Sequence, residues 1–197
     1  MENALKLGIR KAMPEDLLFL AEKHPRETWR EQSGLAGTGE IWLHNHDYFR
    51  AITARIMEQI DRLRGTGETG LDSGPALGRH IGSLLGGLDG HHRIEDHHYF
   101  PIFQRAEPRL IRAFEILDSD HHMIHDAIDE LAGATEDSLR RLGRSEGVMT
   151  GGQKRAVDDL AAVVERIAPI LGQHLADEEE IVIPLILERA RLDPEFG

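Results

Sequence analysis

Hydrophobic residues recur at helical spacing in four stretches of the chain, and segments rich in glycine, serine and threonine separate these stretches. The pattern predicts four helices, over about residues 39–64, 75–101, 109–142 and 153–191. Pro101 is expected to kink or end the second helix, because proline has no backbone N–H to donate. On or near its inner stripe, the first helix is predicted to carry Ile41, Trp42, Phe49, Ile52, Ile56, Ile60 and Leu63.

Four helices joined by short loops predict an all-α fold, an up-down-up-down antiparallel four-helix bundle over residues 39–192. Residues 1–38 precede the first helix and are interpreted as an N-terminal appendage that packs on the bundle. The segment PEDLLFLAEKH (14–24) is expected to form a short helix within this appendage.

Charge and composition exclude several classes of function. The chain has 23 Lys and Arg against 35 Asp and Glu, for a net charge of −12, so a large phosphate-binding surface is not expected and nucleic acid is excluded as a partner. There is no cysteine, so any metal must be held by nitrogen and oxygen. No apolar run is long enough to span a membrane and the first residues do not resemble a signal peptide, which predicts a cytoplasmic protein without a membrane partner. A protein partner or a homo-oligomer stays open.

The chain contains an internal repeat that points to its chemistry. HHRIEDHHYFP (91–101) aligns with HLADEEEIVIP (174–184), and the alignment pairs His91 with His174, Glu95 with Glu178, and Pro101 with Pro184. A weaker alignment pairs His46 with His121. The second and fourth helices are therefore similar units, and the first and third helices form the other pair.

Histidines and carboxylates four residues apart lie on one face of a helix and can present two metal ligands together. The chain offers three such pairs, His91 with Glu95, His121 with His125, and His174 with Glu178. A single pair of this kind is usually an exposed, solvated pair. The helix lengths, however, bring all the pairs to one level: His46 is roughly 27 Å from the end of the first helix, and His91 is roughly 24 Å from the start of the second. Imidazole and carboxylate together suit iron, zinc, manganese or copper.

In its motifs the sequence resembles the hemerythrin-like, or HHE cation-binding, proteins over roughly residues 40–190. The matching motifs are HDYFR (46–50), HHRIEDHHYFP, DHHMIHD (120–126) and HLADEEEIVIP. The resemblance implies two non-haem iron ions with an oxo or hydroxo bridge, held by five histidines and two bridging carboxylates. One ion would be bound by His121, His125 and His174. The other would be bound by His46 and His91 and would keep a position open, while Glu95 and Glu178 bridge. A ferritin-like site is disfavoured, because it uses Glu-x-x-His and more carboxylates.

The acid run after the last histidine departs from the hemerythrin oxygen carriers, which place an aspartate five residues after that histidine. Glu179 occupies this position here, so Glu178 and Glu179 both stay candidates for the bridge. Helix geometry favours Glu178, which is rotated by about 40° from His174, whereas Glu179 is rotated by about 140°. Only one member of the run DEEE (177–180) is therefore predicted to point inward.

A five-histidine site with an open position favours a protein that binds or processes oxygen, nitric oxide or hydrogen peroxide. Whether it turns the ligand over as an enzyme stays open. Two alternatives remain, an iron-sensing or iron-storing module without turnover and a zinc-binding helical interaction domain. The content of the N-terminal appendage does not match that of the oxygen carriers, which argues against assigning their transport role to this chain.

Overall fold

A computed structural model describes residues 2–192 and confirms the predicted all-α helical bundle. Its α-helices are α1 (Thr38–Thr66), α2 (Ser73–Ile94), α3 (Phe100–Ala106), α4 (Ile111–Leu142) and α5 (Gly151–Leu192). A π-helix (Glu95–Tyr99) joins α2 to α3, and 3-10 helices cover Glu2–Leu5, Glu15–Leu17, Arg26–Glu31, Ser33–Leu35 and Pro108–Leu110. The two strands, β1 (Glu68–Thr69) and β2 (Gly147–Val148), are two residues long.

The second predicted helix does not end at Pro101, which lies inside α3. In a regular α-helix the ring of Pro101 would crowd the carbonyl group of His97, and Pro101 has no N–H to donate to that carbonyl. The π-helix directly before α3 has a wider turn, which gives the proline ring room without ending the helix. The same turn carries Glu95 and Asp96, so the backbone irregularity coincides with acidic residues of the predicted site.

The chain divides into two compact units, and α1, α2, α4 and α5 each contribute to both. The first unit contains residues 1–48, 92–123 and 170–197, of which the structure describes 2–48, 92–123 and 170–192. The second unit contains residues 49–91 and 124–169.

The N-terminal segment, defined here as residues 2–37, belongs to the core of the first unit. Met13, Leu17, Leu20, Trp29 and Leu35 are buried in one hydrophobic cluster with residues of α1, α3, α4 and α5. The prediction of a short helix over residues 14–24 is wrong, because only Glu15–Leu17 is helical and it forms a single 3-10 turn. Packing of individual apolar side chains, rather than a regular helix, holds the segment in place.

The second unit has its own apolar core, and a two-residue antiparallel pairing joins its loops. Glu68 pairs with Val148 and Thr69 with Gly147. The buried residues from α1 are Phe49, Ile52, Ile56, Ile60 and Leu63, as predicted. In the first unit Trp42 is buried, but Ile41 is 61% exposed, so its predicted inward position is wrong. Adjacent helical residues are rotated by about 100°, and the inner position is taken by Trp42.

Phe114 of α4 provides a test of the first unit's core. Its ring is fully buried, with centroids 5.0 Å from Phe100 and 6.0 Å from Phe103. We expect Phe114→Ala to lower the free energy of unfolding by about 3–5 kcal/mol, because the substitution leaves a cavity. Ile111→Ala, at a residue of the same helix that is 42% exposed, is the control and should change it by about 0.5 kcal/mol or less. Equal losses in chemical denaturation would contradict this assignment of the core.

Candidate metal centre

Two groups of buried potential metal ligands lie in the first unit. His92, His121 and His174 come from α2, α4 and α5, and their ligand atoms lie within 4.8 Å of one another. A second group includes His46 of α1, Glu95 of the π-helix and Glu178 of α5. The ligand atoms of these three residues also lie within 4.8 Å of one another. All six side chains are 0–1% exposed. So many ionisable groups are seldom buried together unless they are paired or bind a metal.

The rings of the three-histidine group are packed against one another. His92 stacks on His121 with centroids 4.0 Å apart, and the His174 ring meets His121 edge-on at 4.9 Å. Phe100 stacks near His121, with centroids 5.4 Å apart. Close packing limits the rotation of these rings, so their nitrogen atoms are held in place.

Two carboxylates bring the groups close together. One oxygen of Glu178 lies 3.2 Å from Nε2 of His174 and 3.7 Å from Nε2 of His46. An oxygen of Glu95 lies 3.6 Å from Nε2 of His121. Burial, and then the neighbouring Glu178 carboxylate, raise the pKa of Glu95 well above its usual value. A cation would favour ionisation of these carboxyl groups, because its charge offsets both burial and their mutual repulsion.

The Nδ1 atoms of three histidines are oriented by carboxylates outside the groups. His46 Nδ1 lies 3.0 Å from Glu179, His121 Nδ1 lies 2.7 Å from Asp96, and His174 Nδ1 lies 3.4 Å from Asp120. When Nδ1–H donates to a carboxylate, Nε2 carries the lone pair that binds a metal.

The Nε2 atom of His121 is buried and has no hydrogen-bond partner within the described part of the chain. A buried nitrogen atom normally has such a partner. This atom belongs to the three-histidine group, so its position and chemistry fit metal binding. The residues present therefore fit the nitrogen and oxygen donor set that the absence of cysteine requires.

Arg10 of the N-terminal segment contacts one of these outer carboxylates. Its guanidinium donates to both oxygens of Asp120 and, through Nε, to Asp177 at 2.8 Å. Burial opposes ionisation of Asp120, but hydrogen bonds with Arg10 and His174 outweigh it and lower the pKa of Asp120. Burial likewise opposes protonation of His174, yet Asp120 and Glu178 raise the pKa of His174 to about 9. Metal binding through Nε2 would thus displace a proton from this imidazole.

Arg26 contacts a second outer carboxylate. Its Nη1 donates to Glu179 at 2.7 Å and its Nε donates to Glu180 at 2.8 Å. The prediction that only one residue of the acid run points inward is wrong, because Asp177, Glu178 and Glu179 are all buried. Arg10 and Arg26 explain the difference, since they provide partners for Asp177 and Glu179 on a side of α5 that a four-helix pattern leaves exposed.

The structure brings together five of the seven predicted ligands, namely His46, Glu95, His121, His174 and Glu178. A sixth, His91, is half-buried one turn before Glu95 in the same continuous stretch of helix, and its ring lies 5.1 Å from that of Phe49. Glu178 lies among the ligands, whereas Glu179 lies behind His46.

His125 is not a member of either ligand group. It lies in the second unit with its side chain 38% exposed and its Nδ1 4.0 Å from Asp89. It is about 6 Å further along α4 than His121, a full turn of the helix. The three-histidine group instead contains His92, which is not among the ligands predicted from the sequence. One signal pointed to it, because His92 and Glu95 are three residues apart and so share a helix face.

Within residues 2–192, no helix combines the length and the apolar character needed to cross a membrane. Comparison with curated proteins and with solved structures finds no significant match. The family model of the hemerythrin HHE cation-binding domain, in contrast, matches residues 38–186. The matched region is most of the chain and includes every member of the two ligand groups. The chain therefore belongs to the hemerythrin HHE cation-binding family and is a metal-binding helical protein.

Proposed function

We propose that this chain is a non-haem di-iron protein that binds or processes a small ligand, namely oxygen, nitric oxide or hydrogen peroxide. The observation that carries the proposal is the arrangement of two ligand groups with the carboxylates of Glu178 and Glu95 reaching from one to the other. A carboxylate in contact with both groups suits a bridge between two ions.

The ligand set divides between two ions. His92, His121 and His174 would bind one ion, and His46 would bind the other together with His91, which lies one turn before Glu95 on the same helix. Glu95 and Glu178 would bridge. With two histidines and two shared carboxylates, the second ion has fewer protein ligands than the first and keeps a position for an exogenous ligand. Five histidines with two carboxylates suit iron, as the family resemblance implies, and they also accept zinc or manganese.

Aromatic side chains around the ligands restrict what can reach this position. The Trp42 indole is 3% exposed, and its ring centroid lies 6.3 Å from that of His46. Tyr99 and Phe103 pack against the same indole, with centroids 5.1 and 5.8 Å away. Such apolar walls exclude bulk water and favour a ligand of a few atoms over an organic substrate.

Iron at this site would supply reversible ligation and redox chemistry. The residues of the chain would bind the ions through Nε2, orient the imidazoles through Glu179, Asp96 and Asp120, and exclude water.

Metal analysis paired with an absorption spectrum tests the proposal. Protein loaded with Fe²⁺ without oxygen and then exposed to air should contain two irons per chain and show charge-transfer absorption from a bridged ferric pair. Addition of nitric oxide or hydrogen peroxide should change that spectrum, and steady consumption of peroxide would identify an enzyme rather than a sensor or a storage module. A colourless protein that retains only zinc would overturn the proposal in favour of a helical interaction domain.

His92 and His125 distinguish the ligand set proposed here from the one predicted by the sequence. We expect His92→Ala to weaken binding of one ion by more than the roughly 10–100-fold typical of losing an outer partner, because His92 lies in the three-histidine group. His125→Ala, at a half-exposed side chain, should keep two ions per chain. Competition with a chelator measures both variants. Loss of an ion only in His125→Ala would restore the sequence-based assignment.

Glu178 and Glu179 are adjacent and both buried, so they form a matched pair for a test of the bridge. Glu178→Ala should abolish the bridged spectrum, because this carboxylate contacts both ligand groups. Glu179→Ala should retain two ions with affinity reduced about 10–100-fold, because it removes the partner of His46 Nδ1 and no proposed ligand. The opposite pattern in metal content and spectrum would make Glu179 the bridge.

A further inference from the structure

We propose that the N-terminal segment is a working part of the metal centre, in which Arg10 and Arg26 are positioning residues for two of the metal-binding histidines. The inference rests on the proposed metal site and adds a role for residues that lie outside the matched family region, which begins at residue 38.

Arg10 acts on the three-histidine group. Its side chain is 2% exposed, and its Nη1 also donates to the Leu5 carbonyl group, at 2.9 Å. The guanidinium group joins Asp120 of α4 to Asp177 of α5. These residues lie 110 and 167 positions from Arg10 in the chain. Two-point binding fixes the plane of the Asp120 carboxylate. That carboxylate faces Nδ1 of His174, so Arg10 determines the direction in which His174 presents Nε2.

Arg26 acts on the second group in the same way. It joins the adjacent carboxylates of Glu179 and Glu180, and Glu179 accepts from Nδ1 of His46. The guanidinium lies over the indole of Trp29, 4.5 Å from the ring centroid. Trp29 is itself anchored in the core, where its Nε1 donates to the His24 carbonyl group at 2.8 Å. Packing of the segment thus sets the position of the arginine, and the arginine sets the position of the carboxylate.

The two arginines serve different ions. Arg10 is linked through Asp120 to His174, and Arg26 is linked through Glu179 to His46. His121 receives its carboxylate from Asp96 in the π-helix. One histidine of each group therefore depends on the N-terminal segment for its orientation, which predicts a separate effect of each arginine on one of the two ions.

A role limited to anchoring the segment predicts a different result, and Lys23 supplies the control. Its Nζ donates to Glu188 of α5 at 2.6 Å, so it also ties the segment to the bundle. Glu188 is contacted by His24 and Arg191 and by none of the proposed metal ligands in the described contacts. Lys23→Gln therefore loosens the segment without changing an outer carboxylate of the centre.

The experiment titrates metal-free, full-length protein with Fe²⁺ without oxygen, in competition with a chelator, well below the melting temperature of every variant. Arg10→Gln and Arg26→Gln should each weaken the binding of one ion by up to about 10-fold, the lower end of the range typical of losing the outer carboxylate itself, and shift the charge-transfer bands of the oxidised protein. Arg10→Lys and Arg26→Lys should recover part of the loss, because an ammonium retains the charge without the fork. Lys23→Gln should lower the melting temperature and leave the affinity for both ions unchanged.

Wild-type affinity and spectra in both Arg→Gln variants would overturn the role of the arginines and leave the di-iron proposal standing. Equal losses of affinity in Lys23→Gln and in the arginine variants would reduce that role to anchoring. If the wild-type chain took up no iron, the di-iron proposal would fail and the inference with it. Arg26 is 43% exposed, so Arg26→Gln keeps the test decisive if Arg10→Gln does not fold.

Discussion

The carboxyl groups of Glu95 and Glu178 interact in the interior of the first unit, where burial and mutual repulsion oppose the ionisation of Glu95. Two acidic groups in this position are costly for a fold unless a proton or a cation lies with them. Much of the surrounding structure follows from this constraint. Histidines face the carboxylates through Nε2, and other carboxylates contact their Nδ1 atoms. Two of those outer carboxylates, Asp120 and Glu179, are held in turn by arginines. Carboxylates, histidines, further carboxylates and arginines thus follow one another outward from the metal centre.

The backbone contributes through the turn before Pro101. Glu95 and Asp96 are neighbours in the π-helix, yet Glu95 reaches Nε2 of His121 while Asp96 reaches Nδ1 of the same ring. One imidazole is thus contacted on both nitrogens from a single turn. The π-helix therefore has two effects. It gives room to Pro101, which does not fit a regular α-helix, and it places two acidic residues beside His121.

The N-terminal segment joins the core to the centre. Its apolar side chains pack with Trp42, Phe100 and Phe114, and its arginines reach carboxylates of α4 and α5. A four-helix arrangement alone would leave Asp177 and Glu179 facing water. Burial of these two carboxylates has an unfavourable desolvation free energy, which the hydrogen bonds from the arginines offset. The segment is therefore better regarded as a fifth element of the first unit than as an attachment to it.

By itself the sequence determined the all-α class and the approximate bounds of the four long helices. It also identified five candidate ligands that the structure brings together, His46, Glu95, His121, His174 and Glu178. It could do so because helical spacing defines the angle and rise between residues of one helix. It could not decide between His92 and His125, since that choice depends on how α2 and α4 are rotated about their axes. Nor could it place Asp177 and Glu179, whose burial depends on Arg10 and Arg26, more than a hundred residues away in the chain. Contacts over such distances leave no period in the sequence, so only the tertiary structure decided them.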